Sequence, residues 1–373
     1  MAARIPSLTG IRTIAALAVC LTHAAFWTGH YTDDFVGRLL SRFEIGVALF
    51  FVLSGYLLFS PWVDVLAGRR GQPSVGRYFW HRARRILPAY WLTVLAVYAL
   101  FLVYTPPDAA PTGTGWSGFA RNMTLTQVYG LGHLHSGLTQ MWSLAAEVVF
   151  YLVLPVIAGG LTLICRHRWR PDLLIVGLVA LMSVSPIWSV VVAGSTDLSP
   201  TARLWAPAFF GWFVAGMLLA VVGRLVSRWD PTISVAVAVG AFLLSGTAIA
   251  GEPTITPTTA SATIVKHLLY VVVAVGVIGP LTIRGGDGRD WWARLCGSRP
   301  MVWFGEISYE FFLVHLVVLE VVMDLIGWRV FSGSTAVAFL LTSAISVPVA
   351  WLLRRITRPI THARTPEPLV ERG

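Results

Sequence analysis

Ten stretches of the chain are almost wholly apolar, each close to the ~20 residues a helix needs to cross a bilayer. They run at about 8–28, 43–65, 86–104, 141–164, 173–193, 203–223, 232–250, 263–283, 303–326 and 334–353. The pattern predicts an all-α fold, a polytopic membrane helix bundle of about ten transmembrane helices. It leaves one transmembrane domain over 1–357 and a short polar tail over 358–373. The first stretch, Leu8–Trp27, is apolar enough to enter a membrane but carries Arg12 and His23. Eleven residues of helix make about three turns, so these two side chains share a stripe and lie about 16 Å apart along the axis. A cation and an imidazole on a spanning helix must face protein or a water-filled cavity.

The loops sort by charge. All of the 28 basic residues except Arg38, Arg42, Arg121, Arg203, Lys266 and Arg329 fall in alternate segments, beginning with the N-terminus. Cytoplasmic loops carry the excess of Lys and Arg, so both termini are expected in the cytoplasm of a plasma or inner-membrane protein. An odd number of spans would scramble this sorting. Two segments stand apart. Gly76–Ile86, aromatic and basic, is expected to lie along the inner surface before the third span. Thr105–Gln140 is the longest outer connection, and its middle, Trp116–Tyr129, is expected to fold back as a short helix over an outer vestibule. Long loops of this kind are often functional.

Composition agrees with the apolar pattern. The chain is 56% hydrophobic and 12% charged, against about 25% charged in soluble proteins, and its mean hydropathy is +0.71. The basic balance reflects topology rather than nucleic-acid binding, because the arginines sit in short loops. Sixteen tryptophans suit interfacial belts. Cys20, Cys165 and Cys296 are too scattered for a metal site or a disulfide framework. Leu8–Trp27 lacks a clear small-x-small cleavage site, so it is read as a retained first span rather than a signal peptide.

Several residues could carry chemistry, and each has a plainer reading beside it. A neutral imidazole at His23 suits proton abstraction from an alcohol; the alternative is a packed histidine bonded to a neighbouring helix. Arg82 and Arg85 lie at i and i+3 at the inner mouth, and guanidinium forks suit phosphate; topogenic charge and headgroup binding is the commoner use. Glu147, at the outer start of the fourth span, could orient His23, or be a hydrated interfacial carboxylate. Ser54 and Cys20 could take part in acyl chemistry, or simply pack. The ninth span carries Glu306, Tyr309, Glu310, His315, Glu320 and Asp324, so it faces a polar interior.

Five stretches together carry a family resemblance. They are SLTGIR with Arg12-x10-His23, GVALFFVLSGYLL at 46–58, RARRILPAYW at 82–91, WSLAAEVVFYLVLP at 142–155 and FGEISYEFFLVH at 304–315. In this order they resemble the acyltransferase-3 family of integral membrane acyltransferases, which O-acylate sugars and other hydroxyls. The resemblance implies a ten-span bundle that takes an acyl group from cytoplasmic acyl-CoA and delivers it to an acceptor at the outer face. It maps essential family residues onto Arg12 and His23, onto Arg82 and Arg85, and onto Trp142, Ser143 and Glu147. Ala48 and Val148 stand where the family often has carboxylates. Some members add a C-terminal hydrolase-like domain. The chain stops at Gly373, so a smaller acceptor is expected.

The combined expectation is an O-acyltransferase using acyl-CoA, most simply acetyl-CoA, as co-substrate, with no permanently bound cofactor and no metal. Arg12, Arg82 and Arg85 would hold the donor phosphates, and His23, oriented by Glu147, would deprotonate the acceptor. Ser54, Ser143, Tyr309 and His315 are candidates for oxyanion stabilisation or structural polar roles. The expected partners are the lipid bilayer and a cell-envelope saccharide or glycolipid, or alternatively a macrolide-type natural product. No nucleic acid is expected. A glycolipid or small-solute transporter is the rival suggested by the polar ninth span. A haem protein using His23 and His315 is a third reading.

Overall fold

The structure is a computed structural model that describes residues 5–69, 71–255, 259–283 and 290–362. Arg4, Arg70, Arg284, Arg289, Arg364 and Arg372, which contribute to the charge sorting, lie outside the described residues, as does the tail from 363 onward.

Fourteen α-helices and no strand make up the described residues. They are α1 (Pro6–Trp27), α2 (Phe35–Ser41), α3 (Ile45–Leu66), α4 (Val75–Val103), α5 (Trp116–Met123), α6 (Trp142–Ile164), α7 (Pro171–Met182), α8 (Val184–Gly194), α9 (Ala206–Val222), α10 (Pro231–Ser245), α11 (Ala260–Thr282), α12 (Trp291–Cys296), α13 (Arg299–Leu325) and α14 (Thr335–His362). Local chemistry sets many of their starts. Pro6, Pro171 and Pro231 occupy first-turn positions, where the missing N–H costs nothing. Asp34 accepts from the Val36 and Gly37 amides at 2.8 and 3.0 Å, and Asp230 does the same for Thr232 and Ile233. Each cap satisfies donors that the helix itself leaves unpaired.

Among the described residues, eight helical segments are long and apolar enough to cross a membrane, as a polytopic helical membrane protein requires. Each of the ten expected stretches falls on a helix, with instructive differences. The fifth is broken into α7 and α8 at Ser183, because Pro186 cannot donate to the carbonyl four residues back and its ring crowds that turn. The seventh is shorter than expected: α10 has 15 residues, about 22 Å of rise. Its C-terminal end is held by Arg42, which is 1% exposed and donates to the carbonyls of Ser245, Ala250 and Gly251 at 2.8, 3.1 and 2.5 Å. The ninth, α13, is 27 residues long and carries the acidic groups noted above. Gly76–Ile86 does not form a separate surface segment. It is the first part of the continuous α4, tied to α6 by a 3.1 Å bond from the Tyr78 hydroxyl to the Tyr151 carbonyl. The helix expected within Trp116–Tyr129 is α5, which ends at Met123. The last span continues to His362, so the first residues of the expected tail are helical.

The bundle is organised around α1, which packs on α13, α3 and α14, with α9 filling the far side of α3. Side chains that face outward are apolar, such as Val176, Val179, Ile187 and Val190 on α7 and α8 and Leu340 and Leu352 on α14, as lipid contact demands. In lipid, helix association rests on close packing across small residues. Two motif glycines supply it. A Cβ on Gly305 would lie 2.1 Å from the Thr9 carbonyl oxygen of α1, and one on Gly55 would lie 2.0 Å from the Phe213 carbonyl oxygen of α9. Neither obstacle is a side chain that can swing away.

Gly305→Ala is therefore expected to separate α1 from α13 and to destabilise the protein by about 1–3 kcal/mol, as overpacking does. Gly159→Ala and Gly160→Ala, which meet nothing within 4 Å, are expected to be neutral or slightly stabilising. Thermal unfolding of the three variants in one detergent checks the contrast.

Candidate active site

The polar stripe of α1 has two ends, and each gathers its own set of side chains. Arg12 lies in the first half of the helix, within electrostatic reach of Arg82, Arg85, Tyr151 and Glu147. Arg82 in turn reaches Arg85, Tyr151, Tyr78 and Glu147. The two arginines expected on one face of α4 are thus brought to the α1 arginine. Arg84, between them in sequence, points elsewhere and stacks its guanidinium over Trp80 at 5.5 Å. Glu147 faces this cluster, with Oε1 accepting from the Ser54 hydroxyl at 2.6 Å and from the Tyr151 hydroxyl. Among the described residues, no ion pair neutralises Arg12, Arg82 or Arg85. Three guanidiniums outnumber the nearby carboxylates even when Glu310, within reach of Arg85, is counted. A group of cations gathered inside a bundle has the charge to attract a polyanion.

The other end is an imidazole pair. His23 Nδ1 lies 2.9 Å from His315 Nε2, with the rings offset-stacked at 5.1 Å. His315 Nδ1 lies 2.8 Å from the Phe312 carbonyl. A carbonyl can only accept, so His315 Nδ1 carries a proton. For neutral rings, His315 Nε2 must then accept, and His23 Nδ1 must donate. This places the lone pair of His23 on Nε2, the arrangement a general base requires. His315 is fully buried and its ring lies parallel to Phe311 at 5.9 Å, so the orienting partner is fixed on rigid α13. His23 itself is only half-buried.

Glu147 is therefore not the partner of His23. The reason lies in how the fourth span begins. Residues Ser136–Met141 form a 3₁₀ turn that runs down the side of α13. Ser136 donates to Glu320 at 3.1 Å, and Gln140 donates to the Leu313 carbonyl at 2.9 Å. Residue 140 thus already sits near the level of His315. Glu147 lies seven residues, or about 10 Å, deeper, among the arginines rather than at the outer face.

Other candidates resolve into supports. The Ser54 hydroxyl is committed to Glu147. Ser143 donates to the Gln140 carbonyl at 3.2 Å and closes the start of α6. The Tyr309 hydroxyl donates to the Ile86 carbonyl at 3.0 Å and fastens α13 to α4. Trp142 packs on Phe209 at 4.7 Å. Cys20 is buried beside the Ser343 hydroxyl at 3.8 Å. The haem reading fails on distance, because imidazole nitrogens hydrogen-bonded at 2.9 Å leave no room for a metal at ~2 Å from each. Sequence reasoning missed Tyr151, although its i+4 spacing from Glu147 was visible. It also missed His267, packed between Phe209 and Trp212 beside a 2.8 Å Lys266–Glu44 ion pair.

Comparison with known proteins supplies the context. The profile of the acyltransferase-3 family, described as an acyltransferase domain, matches residues 5–355. The chain is similar to the acyltransferase MdmB of Streptomyces mycarofaciens, with 27% identity over 95% of this chain and 90% of that protein. It is also similar to the peptidoglycan O-acetyltransferase OatA of Listeria monocytogenes, at 25% identity over 84% of the chain and 49% of that protein. The O-acetyltransferase OatA of Staphylococcus aureus is 22% identical over 84% of the chain and 50% of its own length. The chain thus spans about half the length of the two OatA proteins. No solved structure matches it. With the family profile covering nearly every residue from the first helix to the last, the chain belongs to the acyltransferase-3 family of membrane acyltransferases.

Proposed function

We propose that the protein moves an acyl group, most simply acetyl, from acyl-CoA at the cytoplasmic face to a hydroxyl of a cell-envelope saccharide or glycolipid at the outer face of the plasma membrane. The observation that carries this reading is the α1 stripe, with an unneutralised arginine cluster at one end and an oriented imidazole at the other. The relatives named as O-acetyltransferases support the acyl group, and the one named for peptidoglycan supports a saccharide acceptor. A macrolide-type acceptor is the alternative.

The charge sorting of the loops supports a cytoplasmic position for Arg12, Arg82 and Arg85, where the pyrophosphate and phosphate of coenzyme A would meet them. Bidentate guanidinium–phosphate contacts both anchor and orient such a group. The pantetheine arm would extend along the bundle, over a distance like the roughly 16 Å that separates Arg12 from His23. At the far end His23 Nε2 takes the proton of the acceptor hydroxyl as its oxygen attacks the thioester carbon. The carbon–sulfur bond breaks and the thiolate leaves, to receive that proton from the imidazolium. His315 Nε2, accepting from His23 Nδ1, keeps the ring in the required tautomer and stabilises its charged form. Transfer is direct, because Cys20, the cysteine on α1, is buried with its thiol against the Ser343 hydroxyl at 3.8 Å rather than against a base.

Two outcomes test this. His23→Ala is expected to lower kcat by 10²-fold or more, the usual range for a general base. His315→Leu is expected to do nearly as much while leaving the KM for acyl-CoA unchanged, and His315→Gln, whose side-chain oxygen can accept from Nδ1, is expected to recover part of the loss. Arg82→Ala and Arg85→Ala are expected to act on the donor instead, each raising the KM for acetyl-CoA by about tenfold or more, the loss of one charge-assisted bond of ~1.5–3 kcal/mol. Release of coenzyme A by the purified protein, with a saccharide acceptor present, reads both sets.

A further inference from the structure

A cleft of about 460 Å³ opens at the end of α1 beyond His23, a size that suits a small ligand. Phe26 lies one turn past His23, and it forms the floor with Tyr31 and Phe331. Its ring meets Tyr31 edge-on at 5.4 Å and 70°, and Phe331 at 5.5 Å and 84°. Pro253, Thr254 and Ile255 also line it. Among the described residues, the lining contains no Asp, Glu, Lys, Arg or His. Beyond the lining, Tyr31 lies within reach of the opposed charges of Glu44 and Arg42, and Glu44 also pairs with Lys266 at 2.8 Å.

The cleft is joined to the catalytic stripe. The Tyr31 hydroxyl lies 2.5 Å from the hydroxyl of Thr22, the residue before His23. The Phe331 amide donates to the carbonyl of Trp27, at the end of α1, at 2.7 Å. Phe331 also adopts a left-handed backbone with φ of 66°, strained for a bulky L-residue. Gly29 lets this segment approach, since a Cβ there would lie 3.0 Å from the Phe331 carbonyl oxygen. The strain is not repaid by burial, because Phe331 stays 63% exposed. Its ring, packed edge-on against Phe26, is thereby left open to a ligand in the cleft.

We infer that this cleft binds the acceptor, and that the group it takes is an uncharged sugar ring. Aromatic faces pack the C–H face of a sugar, while a cleft without a cation gives a carboxylate or phosphate on the ring no partner for its desolvated charge. The site thus selects neutral glycosides over uronic or phosphorylated sugars, about one helical turn beyond His23. This inference rests on the transferase reading, which it deepens by naming the acceptor class.

The test uses the full chain in lipid nanodiscs, with 4-nitrophenyl β-glucoside as the neutral probe and 4-nitrophenyl β-glucuronide as the charged one. Equilibrium dialysis gives affinities, and saturation-transfer NMR shows which probe protons touch protein. The expected result is glucoside binding through its ring C–H protons, with the glucuronide at least tenfold weaker. Phe331→Gly removes the ring and suits the left-handed backbone, so it is expected to keep or raise the melting temperature while weakening glucoside binding at least tenfold. Ile255→Lys, at an exposed rim position, is expected to bring the glucuronide to the affinity of the glucoside. Equal binding of the two probes by the wild-type chain, no binding of either, or an unchanged Phe331→Gly affinity would overturn the inference. Glucoside that binds as expected but accepts no acyl group from any acyl-CoA would instead sink the transferase reading and leave the cleft as a sugar site. Transfer that proceeds unaltered in Phe331→Gly would do the reverse.

Discussion

The hydrogen bond from His23 Nδ1 to His315 Nε2 depends on two helices that are distant in sequence and packed closely in space. It is 2.9 Å long and exists because α1 and α13 approach to backbone distance, with Gly305 against the Thr9 carbonyl. Two imidazoles in an apolar bundle, His315 fully buried and His23 half-buried, each need a partner for at least one nitrogen. The structure meets that need in series, from the Phe312 carbonyl through His315 to His23, and the chain of donors ends on an imidazole nitrogen with a free lone pair. The atoms that meet this requirement of the fold are the ones the proposed transfer uses.

The same reasoning separates the polar groups that support the bundle from those left unbalanced. Asp64 pairs with Arg224 at 2.8 Å, Glu44 with Lys266 at 2.8 Å, and Arg354 with Glu306 at 3.4 Å. Arg42 is spent on backbone carbonyls. The three ion pairs cancel their own charge, and the Arg42 guanidinium is met by carbonyl dipoles. Arg12, Arg82 and Arg85 are different, since Glu147 is already engaged by two hydroxyls and cannot neutralise all three. The surplus lies at one end of the α1 stripe, and the uncharged aromatic cleft lies beyond the other. A polyanionic donor and a neutral acceptor would be sorted to opposite ends by electrostatics alone.

Much of this was legible in the sequence. Runs of apolar residues near twenty long locate each of the eight described segments able to cross a membrane, and the R-x10-H spacing sets Arg12 and His23 on one stripe. The R-x-x-R spacing put Arg82 and Arg85 on one face of α4. What was not legible depends on contacts between helices. Periodicity along α13 marks His315 as an oddity but does not say that it meets His23. The depth of Glu147 hinged on the Ser136–Met141 turn entering the bundle, which hydropathy reads as loop. The break at Ser183 was signalled by Pro186 and overlooked because the stretch is apolar on both sides. The outer cleft was invisible, since Phe26, Tyr31, Ile255 and Phe331 come from three separate segments with no motif among them.

The central claim is that the stripe on α1 is the path from donor to acceptor. A cryo-EM reconstruction of the protein with a non-hydrolysable acetyl-CoA analogue tests it most directly. The account predicts phosphate density within hydrogen-bond distance, about 3 Å, of Arg82 and Arg85, and the acyl carbonyl beside His23 Nε2. Phosphates bound away from the three arginines, or an acyl group more than about two helical turns, ~11 Å, from His23, would contradict it.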